Sequence, residues 1–398
     1  MMTEAMPEEK LETEEDLTVE GLLHAYVADP HNPFVNPHVG EEIEKIFLLA
    51  ERFPDYFSLE EASDLCSSYI EQTKGLMDKI PKALWSKGLR AKVLIHLEDT
   101  SRDCTKCSLC KNTPKNTEIL PGLPVFGEGV IDAEVMMVLE GPGNFECRTG
   151  VPLTGSMELR VSHCNQCTGF EKCYTEPGQP NVFKRFLNDP MEECEFHPLT
   201  EENRLIILKS RLVKHRNNPH TTGQYIDEAL GDVGLMRSTP GKWKKTMEKL
   251  DPDNIKNLPE FIKANTYITN AVRHRSCSGP RNVDPTKAQI EACNPYLEMT
   301  VELVRPKVIV AFGIPALTAL DPIVDMSKSK ITHLCPESPL VAPLEVATRI
   351  HPHVFVSVHP SYMMRQEDMS THSKWNEKLR LILRTAKAKA LEIKTTGK

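Results

Sequence analysis

Hydrophobic positions along the chain form two kinds of run. Between Gly40 and about Asp99 they recur every three to four residues, the spacing of amphipathic helices. Residues 41–53 place Ile43, Ile46, Phe47 and Ala50 on one face. Ser58 and Glu61 have capping-box spacing, ahead of a helix carrying Ala62, Leu65, Cys66 and Tyr69. Pro81 opens a third helix with Leu84, Leu89, Val93 and Leu94 available for packing. After Cys104 the pattern changes. Short apolar runs at 134–139, 266–269, 307–312 and 354–358 are separated by helical stretches, notably 287–303, and a last helix runs from 373 to about 394. Alternating short strands and helices predict an α/β fold. Its core is a central four-stranded parallel sheet, flanked by helices and joined by a small N-terminal helical unit.

In such sheets ligands bind beyond the carboxyl ends of the strands. Three polar residues stand at those ends: Glu140, Asn270 and His359. The alternation breaks at about 157–222, which reads as a Cys-rich insertion. Residues 1–38, acidic and then rich in Pro, His and Asn, read as a flexible tail. The organisation expected is tail 1–38, helical unit 39–100, and a main domain 101–398 interrupted by the insertion.

Composition narrows the class. With 40% hydrophobic and 26% charged residues in 398, the chain reads as a soluble globular protein. No apolar run reaches eighteen residues, so no membrane partner is expected. The acidic N-terminus resembles no signal peptide, which leads us to expect a cytoplasmic or other reducing intracellular compartment, not secretion. The net charge of −8 is uneven: residues 1–103 carry 22 acidic against 10 basic side chains, so the remainder is mildly basic. The overall acidity therefore does not exclude a nucleic acid partner.

Twelve cysteines in a reducing compartment favour metal ligation over disulfides. Cys104 and Cys107 form a CxxC pair, and Cys277 and Cys293 are separated by fifteen residues. Four thiolates suit zinc or an iron–sulfur cluster equally. Cys110 reads as a small packed side chain. In the insertion, Cys164, Cys167, Cys173 and Cys194, with His163 and His197 nearby, fit a second, structural zinc site.

Four pieces in order carry a family resemblance: CTKCSLC followed by VFGEG, then LEGPG, then YITNAV with its cysteine pair, then VHPSY. Together they resemble the family 4, iron–sulfur branch of the uracil-DNA glycosylases, over roughly half of the chain. The resemblance implies a 4Fe–4S cluster on Cys104, Cys107, Cys277 and Cys293. It also implies hydrolysis of the N-glycosidic bond of uracil in DNA, as in base-excision repair, with the base flipped into a pocket. Catalytic roles fall on Glu140, which would orient water or stabilise the sugar cation, and His359, which would stabilise charge developing on the base. Asn270 would read the base, since its amide offers a donor and an acceptor in one plane. Leu153, Gly141 and Gly143 would line the base. Leu153 stands where the family carries a stacking phenylalanine.

DNA contacts are expected from Arg273, Arg275 and Arg281 to phosphates, and from Ser361, Tyr362, Met363 and Arg365 at a tip that wedges into the duplex. The acidic helical unit is expected to pack on the domain or dock a protein partner. Two further readings use the same features. One is a glycosylase-like enzyme acting on a modified pyrimidine. The other is a non-catalytic DNA-binding accessory protein of a replication or repair assembly.

Overall fold

A computed structural model describes residues 37–73, 82–109, 124–143, 146–149, 152–153, 157–158, 211–212, 222–237, 264–278, 281–324, 344–346, 353–364 and 369–396. Residues 1–36 of the expected tail, Cys110, Arg365 and all four insertion cysteines lie outside these residues, while the tail's last two residues, Pro37 and His38, are helical and open the first helix. Of the insertion, only the paired strands β3 (Met157–Glu158) and β4 (Arg211–Leu212) and Thr222 fall inside them.

Among the described residues three helices come first: α1 (Pro37–Arg52), α2 (Leu59–Thr73) and α3 (Lys82–Thr100). The Ser58 capping box forms as its spacing predicts. The Ser58 hydroxyl accepts from the Glu61 amide at 3.2 Å, and the Glu61 carboxylate accepts from the Ser58 amide at 2.7 Å.

Six strands make the main sheet. The four predicted runs become β2 (Val135–Leu139), β5 (Thr266–Asn270), β8 (Val308–Phe312) and β10 (His353–Ser357), all parallel, in the order β5-β2-β8-β10. Two antiparallel edge strands, β1 (Glu128–Gly129) and β9 (Leu344–Val346), extend it to six. Two or three residues are too few for a period to register, so sequence pattern did not reveal these edges.

Side chains alternate between the two faces of the sheet. Met136, Val138, Tyr267, Ile309, Ala311, Val354 and Val356 face one layer, with α6 (Lys287–Val304) and α7 (Ile314–Val324). Val135, Met137, Ile268, Val308, Val310, Phe312 and Phe355 face the other, with α5 (Thr222–Asp232) and α9 (Met369–Thr396). A sheet buried on both faces explains why its strands read as continuous apolar runs.

The first layer also contains Ile43, Phe47, Phe57, Tyr69, Trp85 and Leu89, so α1, α2 and α3 share one apolar cluster with the sheet. A buried ion network reinforces the join. Arg305 grips Glu42 with two nitrogens at 2.9 and 2.6 Å, the Ser86 hydroxyl donates to Glu42 at 2.6 Å, and Arg90 pairs with Asp132 at 2.9 Å and with the Leu303 carbonyl at 2.9 Å. Among the described residues no helix is long and apolar enough to cross a membrane.

Candidate active site at the carboxyl ends of the strands

Register brings the three strand-end residues to one rim. Leu139 of β2 pairs with Asn270 of β5, and Phe312 of β8 pairs with Ser357 of β10. Asn270, Glu140, Gly313 and His359 therefore follow one another across the sheet, each at or just past a strand's end. Glu140 leans over β8: a Cβ on Gly313 would lie 2.0 Å from its Oε1. Gly313 has φ +86°, so both its conformation and this crossing require glycine.

Asn270 is 2% exposed, and neither Oδ1 nor Nδ2 has a hydrogen-bond partner among the described residues. Its chain is held by the Ala271 amide, which donates to the Leu139 carbonyl at 2.7 Å. Each unsatisfied buried polar group costs roughly 1–3 kcal/mol. A donor and an acceptor kept dry at that cost are a pair prepared for a planar ligand edge.

His359 begins the turn into the short helix α8 (Pro360–Met364). Its Nδ1 accepts the Ser361 backbone N–H at 3.2 Å and lies 2.8 Å from the Ser361 hydroxyl. A backbone amide can only donate, so Nδ1 is the bare nitrogen and the proton sits on Nε2. His359 thus carries a hydrogen-bond donor on its far nitrogen without needing a positive charge. Ser361 serves to orient this ring.

Glu146, in the single-turn helix α4 (Glu146–Thr149), was not singled out in the sequence. It is buried, and its two oxygens accept the Gly143 and Leu153 amides. It thereby ties the turn after β2 to the Pro152-Leu153 turn, whose Pro152 carbonyl accepts from Arg237 at 2.5 Å. An isolated carboxylate between Phe145 and Cys147 has no periodic signal; only folding shows which amides it meets.

Burial raises the Glu146 pKa, against the lowering effect of the two amides and of Arg237. The folded chain therefore holds this proton more tightly than the unfolded chain. Its share of stability is fully present below the ordinary glutamate pKa and is lost as pH rises through the higher folded value. Wild type should lose stability relative to Glu146→Gln over that rise. Parallel melting-temperature profiles for the two proteins would contradict this.

Several expected contacts lie elsewhere. Arg273 does not face solvent: it is 6% exposed, with its guanidinium 4.3 Å from the Tyr296 ring centroid and 5.1 Å from that of Phe126, and bonded to Ser101 at 2.9 Å. Two aromatic faces hold the cation inward, out of reach of a phosphate. Arg275 is also buried, donating to Asn282 at 2.7 Å. Met363 is fully buried against Tyr225, whose hydroxyl lies 3.7 Å from its sulfur, so it belongs to the core and not to a wedge. Tyr362 does stand out, 41% exposed, its ring edge-on to Trp375.

Leu153 is 4% exposed at φ +57° and packs with Leu139, Tyr225 and Ile226. A Cβ on Gly141 would meet the Val272 side chain at 2.9 Å, and one on Gly143 would meet the Glu146 carboxylate at 3.1 Å, so both glycines already sit against side chains of the protein. For Arg281, the described residues give the backbone only.

Two of the four framework cysteines meet, and a third lies against Tyr296 nearby. Cys293, in α6, lies within hydrogen-bonding reach of Cys107; that neighbour, then burial, raises its pKa. Cys104 reaches the Tyr296 hydroxyl. Cys277 opens the hairpin of β6 (Cys277–Ser278) and β7 (Arg281–Asn282); its side chain is outside the description. Among the described residues no three ligating side chains gather closely enough for an ion. Soft thiols drawn from two segments 186 positions apart, meeting beside α6, nevertheless fit a thiolate-bound metal.

A family model described as the uracil DNA glycosylase superfamily matches residues 126–380, and the chain belongs to that superfamily. Within it the chain is similar to the type-4 uracil-DNA glycosylase of Saccharolobus solfataricus, 33% identical over 107 residues, 26% of this chain and 46% of that one. Those of Sulfurisphaera tokodaii (37% over 65 residues, 16% of this chain and 28% of that one) and Archaeoglobus fulgidus (41% over 51 residues, 13% and 24%) are also similar. The chain thus spans less than half the length of these relatives.

Proposed function

We propose that the protein hydrolyses the N-glycosidic bond of uracil in DNA. The observation that carries this is the dry amide of Asn270, unpartnered among the described residues, on the same rim as Glu140 and His359. A flipped uracil presents O4 as acceptor and N3–H as donor, the complement of the Asn270 amide. Bond cleavage leaves negative charge on the base, and the His359 Nε2–H is the donor to meet it. Glu140, crossing β8 between them, orients water or stabilises the sugar cation. Gly141 and Gly143 shape the loop beside the base, and Leu153 supports it from below. DNA is the partner, with Tyr362 at the exposed tip.

Cys104, Cys107, Cys277 and Cys293 would hold a 4Fe–4S cluster. It would supply a cross-link between the hairpin after Asn270 and the segment before the sheet. Tethering serves the pocket, since Asn282 of that hairpin lies beside the Gly143 loop.

Protein purified without oxygen should release free uracil from a uracil-containing strand and carry about four irons and four sulfides per chain, the cluster stoichiometry. Cys293→Ser should lose that iron. No release from single- or double-stranded uracil substrates, in a panel that includes modified pyrimidines, would overturn the enzymatic reading; zinc in place of iron would overturn the cluster.

A further inference from the structure

The N-terminal helices do more than share a core with the sheet. The turn between α1 and α2 delivers Tyr56 to the cysteine site. That turn is tightly held: the Tyr56 and Phe57 amides both donate to the Phe53 carbonyl at 2.9 Å, and Phe53 and Phe57 are buried on either side. The Tyr56 ring meets Tyr296 edge-to-face at 5.0 Å between centroids, and Tyr296 is the residue that Cys104 reaches. The Tyr56 hydroxyl donates to the carbonyl of Ala292, the residue before Cys293, at 3.3 Å. Lys106, between the two cysteines of the CxxC pair, sits over the Tyr56 ring at 4.8 Å. One side chain from the helical unit thus touches both segments that carry these cysteines. Arg52, at the end of α1, pairs with Glu298 one turn further along α6.

We propose that the helical unit is a cover for the cysteine site, and that Tyr56 closes it. Cys104 and Cys107 are half-buried and Cys293 is buried, in a shell to which Tyr56 contributes ring and hydroxyl. The unit therefore limits access of water, oxidants and chelators to these sulfurs. This gives the N-terminal segment a role within its own chain, in place of docking a partner. It rests on the cluster reading only where the test uses iron.

The experiment compares wild type with Tyr56→Ala and Tyr56→Phe. In the iron-loaded protein, visible absorbance is followed in air and in chelator. In metal-free protein, alkylation of each cysteine by a maleimide is followed by peptide mass spectrometry. Loss of the aromatic pair should raise the open population about fivefold. We expect Tyr56→Ala to speed both bleaching and alkylation of Cys104, Cys107 and Cys293 by that factor, with Tyr56→Phe in between.

Cys66, fully buried in α2, and Cys147, buried in α4, are internal references and should not change. Unchanged rates at the three site cysteines would overturn the proposal. So would an equal rise at Cys66, which would mean that the unit had merely loosened. If Tyr56→Ala does not fold, Tyr56→Phe and Lys106→Ala decide by the same criteria. A wild type that binds no iron would remove the cluster reading, while the alkylation arm would still test the cover.

Discussion

Asn270→Leu should abolish most uracil release and leave the protein at least as stable as before. Leucine has nearly the shape of asparagine and none of its polar atoms. With Asn270 in the proposed base-reading role, its loss should lower kcat/KM by about 10²–10³-fold, the range for deleting one hydrogen-bonding group that the transition state needs. Stability should move the other way. The amide is buried with both polar atoms unpartnered among the described residues, so an apolar isostere removes a standing desolvation cost of about 1–3 kcal/mol. Steady-state kinetics on a uracil-containing oligonucleotide and thermal melting check both halves. A variant with wild-type turnover would take Asn270 out of base recognition. A clearly lower melting temperature would mean that the amide is bonded within the folded protein.

The second large effect is expected far from the pocket. Glu42 is 5% exposed and holds Arg305 with two bonds, lies 3.7 Å from the buried Arg90, and accepts from Ser86. Glu42→Ala would strand the positive charge around it. Breaking a buried pair from one side costs about 3–5 kcal/mol. Arg305 is partly exposed and Arg90 keeps Asp132, which places the expected loss near the lower end. Urea unfolding measures it, and Glu42→Gln should recover part of the loss by keeping hydrogen bonds to Ser86 and one arginine. A loss below about 1 kcal/mol, as for a surface pair, would show that this network does not hold the helical unit to the sheet. Because Tyr56 stands on the same unit, the cysteine site should become more reactive in Glu42→Ala as well.

Much of the fold was legible because its signals are local. A strand buried on both faces must be apolar throughout, so 134–139, 266–269, 307–312 and 354–358 announced themselves. A capping box needs only Ser58 and Glu61 at the right spacing. The rim followed from topology: parallel strands share a carboxyl end, and the polar residues that stop three of the runs have to lie there.

Other features depended on what meets across the chain. A basic cluster at 273–281 reads equally well as a phosphate-binding edge; only packing reveals that Tyr296 and Phe126 enclose Arg273. Met363 follows a similar course. In the sequence it belongs to an apolar tip, whereas the turn of α8 rotates it toward Tyr225 and leaves Tyr362 outside. Glu146 and Tyr56 gave no sign at all, because a lone carboxylate or ring acquires its role from partners up to 236 positions away.

The sequence by itself determined the parallel sheet and its polar rim. Periodicity and strand ends are properties of neighbouring residues and survive without a fold. Tertiary structure alone decided that Asn270 is left dry and unpartnered, that Arg273 turns inward, and that the N-terminal helices reach the cysteines. Burial and partnership are set by residues distant in the chain, and no local pattern encodes which of them will meet.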